Sequence, residues 1–258
     1  MTVEAVRVSP GWLDLRESAD AAARSPELVE RLRGRLPAHV VVHDLACGSG
    51  AMGRWLAPLL ATPQHWVLHD RDPDLLALAD VPDVTVETLL SDVTRLGRDG
   101  LAGASLVTAS ALLDLLTEDE LVGLLVACVG AACPVLIALS VTGRVELDPA
   151  DPLDGRLGAA FDAHQRRGRL LGPDAVAVAA EGFRGLGLEV VVAPSPWRLG
   201  AADAALVAEW LAGWVGAACE QEPALADEAE LYLRRRLREA RAGRLAVTVD
   251  HTDLLVLP

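Results

Sequence analysis

The stretch HVVVHDLACGSGAMGRWL, residues 39–56, decides how the rest of the chain is read. HVVVHDL (39–45) is rich in β-branched valine and reads as a strand. AMGRWLAPLL (51–60) reads as a helix. Between them, Gly48, Gly50 and Gly53 fall at G-x-G-x-x-G spacing. Glycine there permits a tight turn and a close approach of backbone to a ligand, with N–H groups and the helix dipole facing it. A glycine-rich turn is often only a turn, so its meaning depends on what surrounds it.

Working outward, HWVLHD (65–70) reads as a strand, PDLLALAD (73–80) as a helix, and VTVETLL (84–90) and ASLVTAS (104–110) as strands. A helix at 118–132 and a strand at 134–141 follow. Strands alternating with helices of this length predict an α/β fold with a doubly wound, mostly parallel sheet and helices on both faces. Residues 142–171 are rich in Pro, Asp and Arg and read as an insertion with a short helix. A helix at 173–184, a strand at 188–193 and helices at 202–219 and 224–242 resume the pattern. LAVTVDHTDLLVLP closes it as a strand pair or as one strand with a bulge. Two short helical patterns lie upstream in 11–36, the second opening at Ser25-Pro26. The expected organisation is one domain spanning 1–258: a helical lid (1–38), a cofactor-binding half (39–141), a substrate-side insertion (142–171) and a C-terminal half (172–258).

Composition narrows the function. With 258 residues, 52% of them hydrophobic, the chain can bury roughly 70–75% of its unfolded surface and needs no metal or disulfide staple. Disorder and low-complexity classes are excluded. A net charge of −14 repels a phosphate backbone and argues against a nucleic-acid partner. Every basic side chain is Arg or His; the absence of Lys and Asn suits a high-GC genome such as an actinobacterium's. The four cysteines (Cys47, Cys128, Cys133, Cys219) form no CxxC pair or zinc-type cluster, so no metal is expected. They read as free thiols of a cytoplasmic protein. The first residues lack the pattern of a signal peptide. Leu121–Val141 carries no charge for 21 residues, enough to cross a bilayer. Thr117 to Glu120, however, has the form of a capping box, and Pro134 breaks the run. A helix followed by a buried strand accounts for it, and no membrane partner is expected.

Three carboxylates specify the ligand. Asp70 closes the second strand 20 residues beyond Gly50, placed to accept hydrogen bonds from a ribose diol. Asp44 precedes the glycines, where it would repel a pyrophosphate and welcome a cation. Asp92, in LLSDV, ends the third strand at a place suited to an adenine edge. A dinucleotide also satisfies the glycine spacing, but ribose, adenine and a positive centre together suit S-adenosylmethionine better.

In this order the motifs resemble those of the class I S-adenosylmethionine-dependent methyltransferases, over about residues 39–141 and more loosely over the whole chain. HDLACGSG is similar to the family's cofactor loop, with Ala46 where the first glycine usually stands. The resemblance implies a Rossmann-like, seven-stranded sheet with one antiparallel strand. It implies S-adenosylmethionine as cofactor, with S-adenosylhomocysteine as product. It places Asp44, Ala46, Gly48, Gly50, Asp70, Arg71, Asp92, Val93 and Ser110 around that cofactor. LVTASALLDLL resembles the fourth-strand motif beside the methyl-transfer site, but Leu113 and Asp114 stand where the family often has a His or an aromatic residue.

Methyl transfer relies largely on positioning and exclusion of water, and needs a base only where the acceptor must lose a proton. His164 and Asp114 are the candidate catalytic residues. A surface His beside Arg166 and Arg167, and an Asp solvating its turn, are the structural alternatives. Arg144 could bind a carboxylate-bearing acceptor, and Trp12 and Trp197 could wall an apolar pocket, though both tryptophans also suit core packing. Arg16 and Glu17 could close over the cofactor or pair along their helix. Cys133-Pro134 lies at the wrong end of its strand for a nucleophile, and the Arg-rich run 233–244 reads as a solvated helix face. The expected function is methyl transfer to a small-molecule acceptor, a metabolite or natural product. An rRNA or tRNA methyltransferase, a catalytically silent cofactor-binding scaffold and an NAD-dependent oxidoreductase are the alternatives. The oligomeric state is left open.

Overall fold

The computed structural model describes residues 8–258; residues 1–7 of the expected lid lie outside them. Helices α1 (Pro10–Ala23) and α2 (Pro26–Arg33) precede strand β1 (Val40–Leu45). Helix α3 (Ala51–Leu56), β2 (Gln64–Asp70), the short α4 (Pro73–Leu76), β3 (Thr85–Leu90), β4 (Leu106–Ser110), α5 (Glu118–Ala131) and β5 (Val135–Asp148) follow. The C-terminal half comprises α6 (Asp154–Gln165), α7 (Ala175–Gly185), β6 (Glu189–Pro194), β7 (Trp197–Leu199), α8 (Ala204–Gln221), α9 (Ala226–Arg241) and β8 (Ala246–Leu257).

The strands form one sheet in the order β3-β2-β1-β4-β5-β8-β6, with β7 also paired to β8. Strands β1 to β5 pair in parallel, and β8 runs antiparallel to β5, β6 and β7. This is the doubly wound, mostly parallel sheet expected, with a short eighth strand added. The order reverses between β1 and β4, opening a crevice beyond the carboxyl ends of the strands, where ligands of such sheets bind.

Helices cover both faces. On one, Leu121, Leu124 and Cys128 of α5 and Phe183 of α7 pack on Val107, Ile137 and Leu254. On the other, Leu28 and Leu32 of α2 and Met52 and Leu56 of α3 pack on Val42, Trp66 and Leu136. Each such buried side chain contributes about 1.5–3 kcal/mol. A third cluster joins α6, α8 and α9 to β7 and the far end of β8, around Leu157, Leu211, Trp214 and Tyr232.

Thr117 and Glu120 form the capping box, Glu120 Oε2 accepting from the Thr117 N–H at 2.8 Å. The charge-free run therefore divides into α5 and β5, and no helix among the described residues is long and apolar enough to cross a membrane.

Some boundaries differ from the sequence reading. Strand β5 does not stop at 141; it continues to Asp148 through register shifts between Ile137 and Ser140 and between Val141 and Val145. The second shift holds Gly143, at φ +82°, where a Cβ would come within 2.8 Å of the Asp162 carboxylate. The first residues of the expected insertion thus extend the sheet, because β8 is long enough to pair with them. Of the two readings of the final stretch, the single strand is the one found, as β8. α3 ends early, in a 3-10 turn that contains Pro58.

Candidate active site

Helix α1 borders the crevice, with Trp12, Leu13 and Arg16 facing it. Ser9 caps it, its hydroxyl accepting from the Trp12 N–H at 3.2 Å, with Pro10 at the first helical position. Two ties fix it. Glu17 takes the Arg54 guanidinium through two bonds of 2.6 and 2.7 Å, joining α1 to α3. Asp20 is buried and shared, Oδ2 accepting from Arg16 Nε and Oδ1 from Trp197 Nε1, both at 2.9 Å.

The glycine loop lies beside α1. Ala46, Gly48 and Gly50 all take positive φ, at 52°, 57° and 89°. At Gly50 a Cβ would stand 2.8 Å from the Asp80 carbonyl oxygen, so that residue is fixed by backbone packing. Gly48 opens to the cavity, with Leu13 of α1 3.1 Å from where its Cβ would be. The Gly48 N–H donates to Asp70 Oδ2 at 2.8 Å, and the Asp72 N–H donates to Oδ1 at 2.9 Å. The second-strand carboxylate is thereby aimed along the loop. Asp92 accepts from the N–H and hydroxyl of Thr94, at 3.1 and 2.7 Å. Burial acts to raise its pKa, but these bonds and the charges of Arg95 and Arg71 outweigh it and hold the carboxyl below its usual range.

A cavity of about 830 Å³ runs from this loop to the aromatic cluster on the far side of β5 and β8. Of the sequence candidates it brings together Ala46, Gly48, Asp70, Arg71, Asp92, Val93, Ser110, Asp114, Trp12, Arg144 and Trp197. Asp44 and Gly50 are not on its surface. Asp44 is buried below the loop, and burial pushes its pKa up to about 7 against the opposing hydrogen bond from Thr108. Its Oδ2 has no hydrogen-bond partner among the described residues.

His164 is also not brought to the cavity. Its Nε2 lies 3.0 Å from Glu220 on α8 and its Nδ1 2.9 Å from Arg167, so its ring serves to hold α6 against neighbouring chain. Arg144 sits at the rim with its side chain 68% exposed, paired with Glu146 and 3.7 Å from Asp250. Asp114 faces the cavity, and burial raises its pKa to about 6.

Sequence reasoning passed over several lining residues: Phe161 and Gln165 of α6, Trp210 and Trp214 of α8, and His251 of β8. Trp210 and Trp214 stack with ring centres 5.3 Å apart, and their i, i+4 spacing on a helix was a readable signal. His251 offered none. It is buried with its ring 5.2 Å from Trp197, and burial together with the nearby Arg16 charge pushes its pKa down to about 3. It therefore faces the cavity as a neutral ring.

No protein-family model and no curated protein matches the chain. Among solved structures it is similar to a cyclopropane synthase from Mycobacterium tuberculosis, with TM-score 0.52 and 13% identity over 97% of this chain and 95% of that one. It is also similar to a protein described as a type II methyltransferase from Anaeromyxobacter dehalogenans, with TM-score 0.50 and 19% identity over 92% and 97%. At such identities the likeness is one of architecture: the chain has the fold of the class I S-adenosylmethionine-dependent methyltransferases.

Proposed function

We propose that the chain transfers a methyl group from S-adenosylmethionine to a small-molecule acceptor and releases S-adenosylhomocysteine. The observation that carries this reading is the continuity of one cavity, from Gly48, Asp70 and Asp92 at one end to the tryptophans at the other. The residues present fit the cofactor. Gly48 lets backbone approach a ligand, and Asp70 and Asp92 offer carboxylates for a ribose diol and an adenine edge. When bound, the cofactor supplies a methyl group on a sulfonium, whose C–S electron pair leaves on sulfur.

The chain's own residues do the rest. Asp70, with Arg71 beside it, holds the sugar; Asp92 and Val93 border the base; Ala46, Gly48 and Ser110 line the path to the reacting end. The lid excludes water. Asp114, with its raised pKa, accepts the proton an oxygen or nitrogen acceptor gives up. Trp12 and Trp197 wall the acceptor side.

A thermal-shift comparison of S-adenosylhomocysteine with NADH tests the reading. At about 100 times the dissociation constant, selective binding adds about 2.7 kcal/mol, or roughly 5–10 °C on domains of this kind. A rise with S-adenosylhomocysteine, lost in Asp70→Ala, supports it. A rise with NADH alone overturns it.

A further inference from the structure

The acceptor end of the cavity is walled by Trp12, Phe161, Trp197, Trp210 and Trp214, a lining that takes a flat apolar body. One full charge is set into that wall. The Arg16 guanidinium lies 5.8 Å from the ring centre of Trp12 and 5.0 Å from that of Trp197. Its Nε is committed to Asp20, and Asp20 is itself pinned by Trp197. Nη1 and Nη2 make no hydrogen bond among the described residues, although the side chain is only 14% exposed and lines the cavity. A guanidinium anchored at Nε and flanked by indoles keeps its Nη1/Nη2 edge as a planar fork, the geometry that takes a carboxylate through two bonds.

Among the described residues, the carboxylates around the cavity do not fill that fork. Asp70 is held by backbone N–H groups, Asp92 by Thr94 and Glu120 by Thr117. Asp250 lies at the rim beside Arg144, which is solvated and already paired with Glu146. Asp114 is near enough to feel the Arg16 charge, as His251 is, yet forms no bond with it.

We propose that the acceptor is a planar aromatic carboxylic acid, its ring against the indoles and its carboxylate on the Nη1/Nη2 fork of Arg16. The inference rests on the methyl-transfer reading and deepens it: the acid end fixes the molecule, and its nucleophilic hydroxyl or amine is left to face Asp114.

Calorimetric titration of the full chain, saturated with S-adenosylhomocysteine, tests this with 2-naphthoate and its neutral counterpart 2-naphthamide as probes. The expected result is a preference of at least about tenfold for the acid, the worth of one charge-assisted bond. Arg16→Gln abolishes the preference. Arg16→Lys, which keeps a cation beside Asp20 and covers the case of a Gln variant that does not fold, retains part of it. Affinity for S-adenosylhomocysteine stays within about twofold in both. Equal binding of acid and amide, or binding of neither, overturns the proposal. So does a large loss of S-adenosylhomocysteine affinity in Arg16→Lys with 5′-methylthioadenosine binding unchanged, because the fork then belongs to the cofactor's own carboxylate. Should the wild type bind no S-adenosylhomocysteine, the methyl-transfer reading fails. The acid-against-amide comparison on the ligand-free chain then still decides the carboxylate site.

Discussion

Asp44 and Thr108 stand opposite each other in register on β1 and β4, and the Thr108 hydroxyl donates to Asp44 Oδ1 at 2.7 Å. Among the described residues this is the one side-chain hydrogen bond to a buried carboxyl, and burial wins: the pKa rises from 3.8 to about 7. The folded chain holds this proton up to about pH 7, whereas the unfolded chain loses it near pH 4. Asp44 therefore makes stability fall as pH rises between those values, by roughly 4 kcal/mol at most. Asp44→Asn keeps the shape and removes the titration. Urea midpoints at pH 5 and pH 8 should differ less in the variant than in the wild type, and an undiminished difference would place the effect elsewhere.

Ala46 occupies the left-handed region, at φ 52°, where an L side chain is strained by about 1–2 kcal/mol. Ala46→Gly relieves that strain at some cost in unfolded-chain entropy. A net stabilisation of about 0.5–1 kcal/mol is expected in equilibrium unfolding. A loss would show that the Ala46 methyl contributes more by packing than it costs by conformation.

The two-pronged bond between Glu17 and Arg54 holds α1 to α3 and keeps Glu17's pKa below its usual value. Its contribution is present at neutral pH and disappears as pH falls through that depressed pKa. Glu17→Gln should cost about 0.5 kcal/mol globally. Amide exchange should rise in α1 well before it rises in the sheet. Uniform exchange across both would show that the Asp20–Trp197 bond alone suffices to hold α1.

Trp197→Phe removes the N–H that satisfies Asp20 Oδ1 while keeping most of the ring volume. Leaving a buried carboxylate oxygen unpaired costs about 1–3 kcal/mol. Thermal unfolding reads this directly. A variant as stable as wild type would mean that Arg16 and Arg24, both near Asp20, suffice for its charge.

Much of the architecture was legible because the glycine loop, the acidic strand ends and the capping box are local: each is written within a few neighbouring residues. What escaped was set at long range. β7 has three residues, too few for a pattern, and exists because β8 offers it an edge. The extension of β5 past Val141 falls where the sequence reads as an insertion, until β8 is known to lie beside it. Among the candidate site residues, Asp70, Asp92 and Asp114 follow strand ends and reach the cavity. His164 was singled out for its titration alone, and chemistry of one residue says nothing of the direction its helix faces. His251 escaped for the converse reason, since its role depends on a strand crossing from the opposite end of the chain.

Strand β8 lies between β5 and β6 and runs against both, yet follows them in the chain. During synthesis, β5 and β6 therefore emerge with facing edges unpaired and nothing between them. Two further groups wait on the same strand: the backbone N–H groups of Ser25 and Leu139 both donate to Asp253, each at 2.8 Å. The sheet closes, and the floor of the cavity forms, only when β8 inserts, a long-range step of the kind that slows folding and leaves strand edges open to other chains.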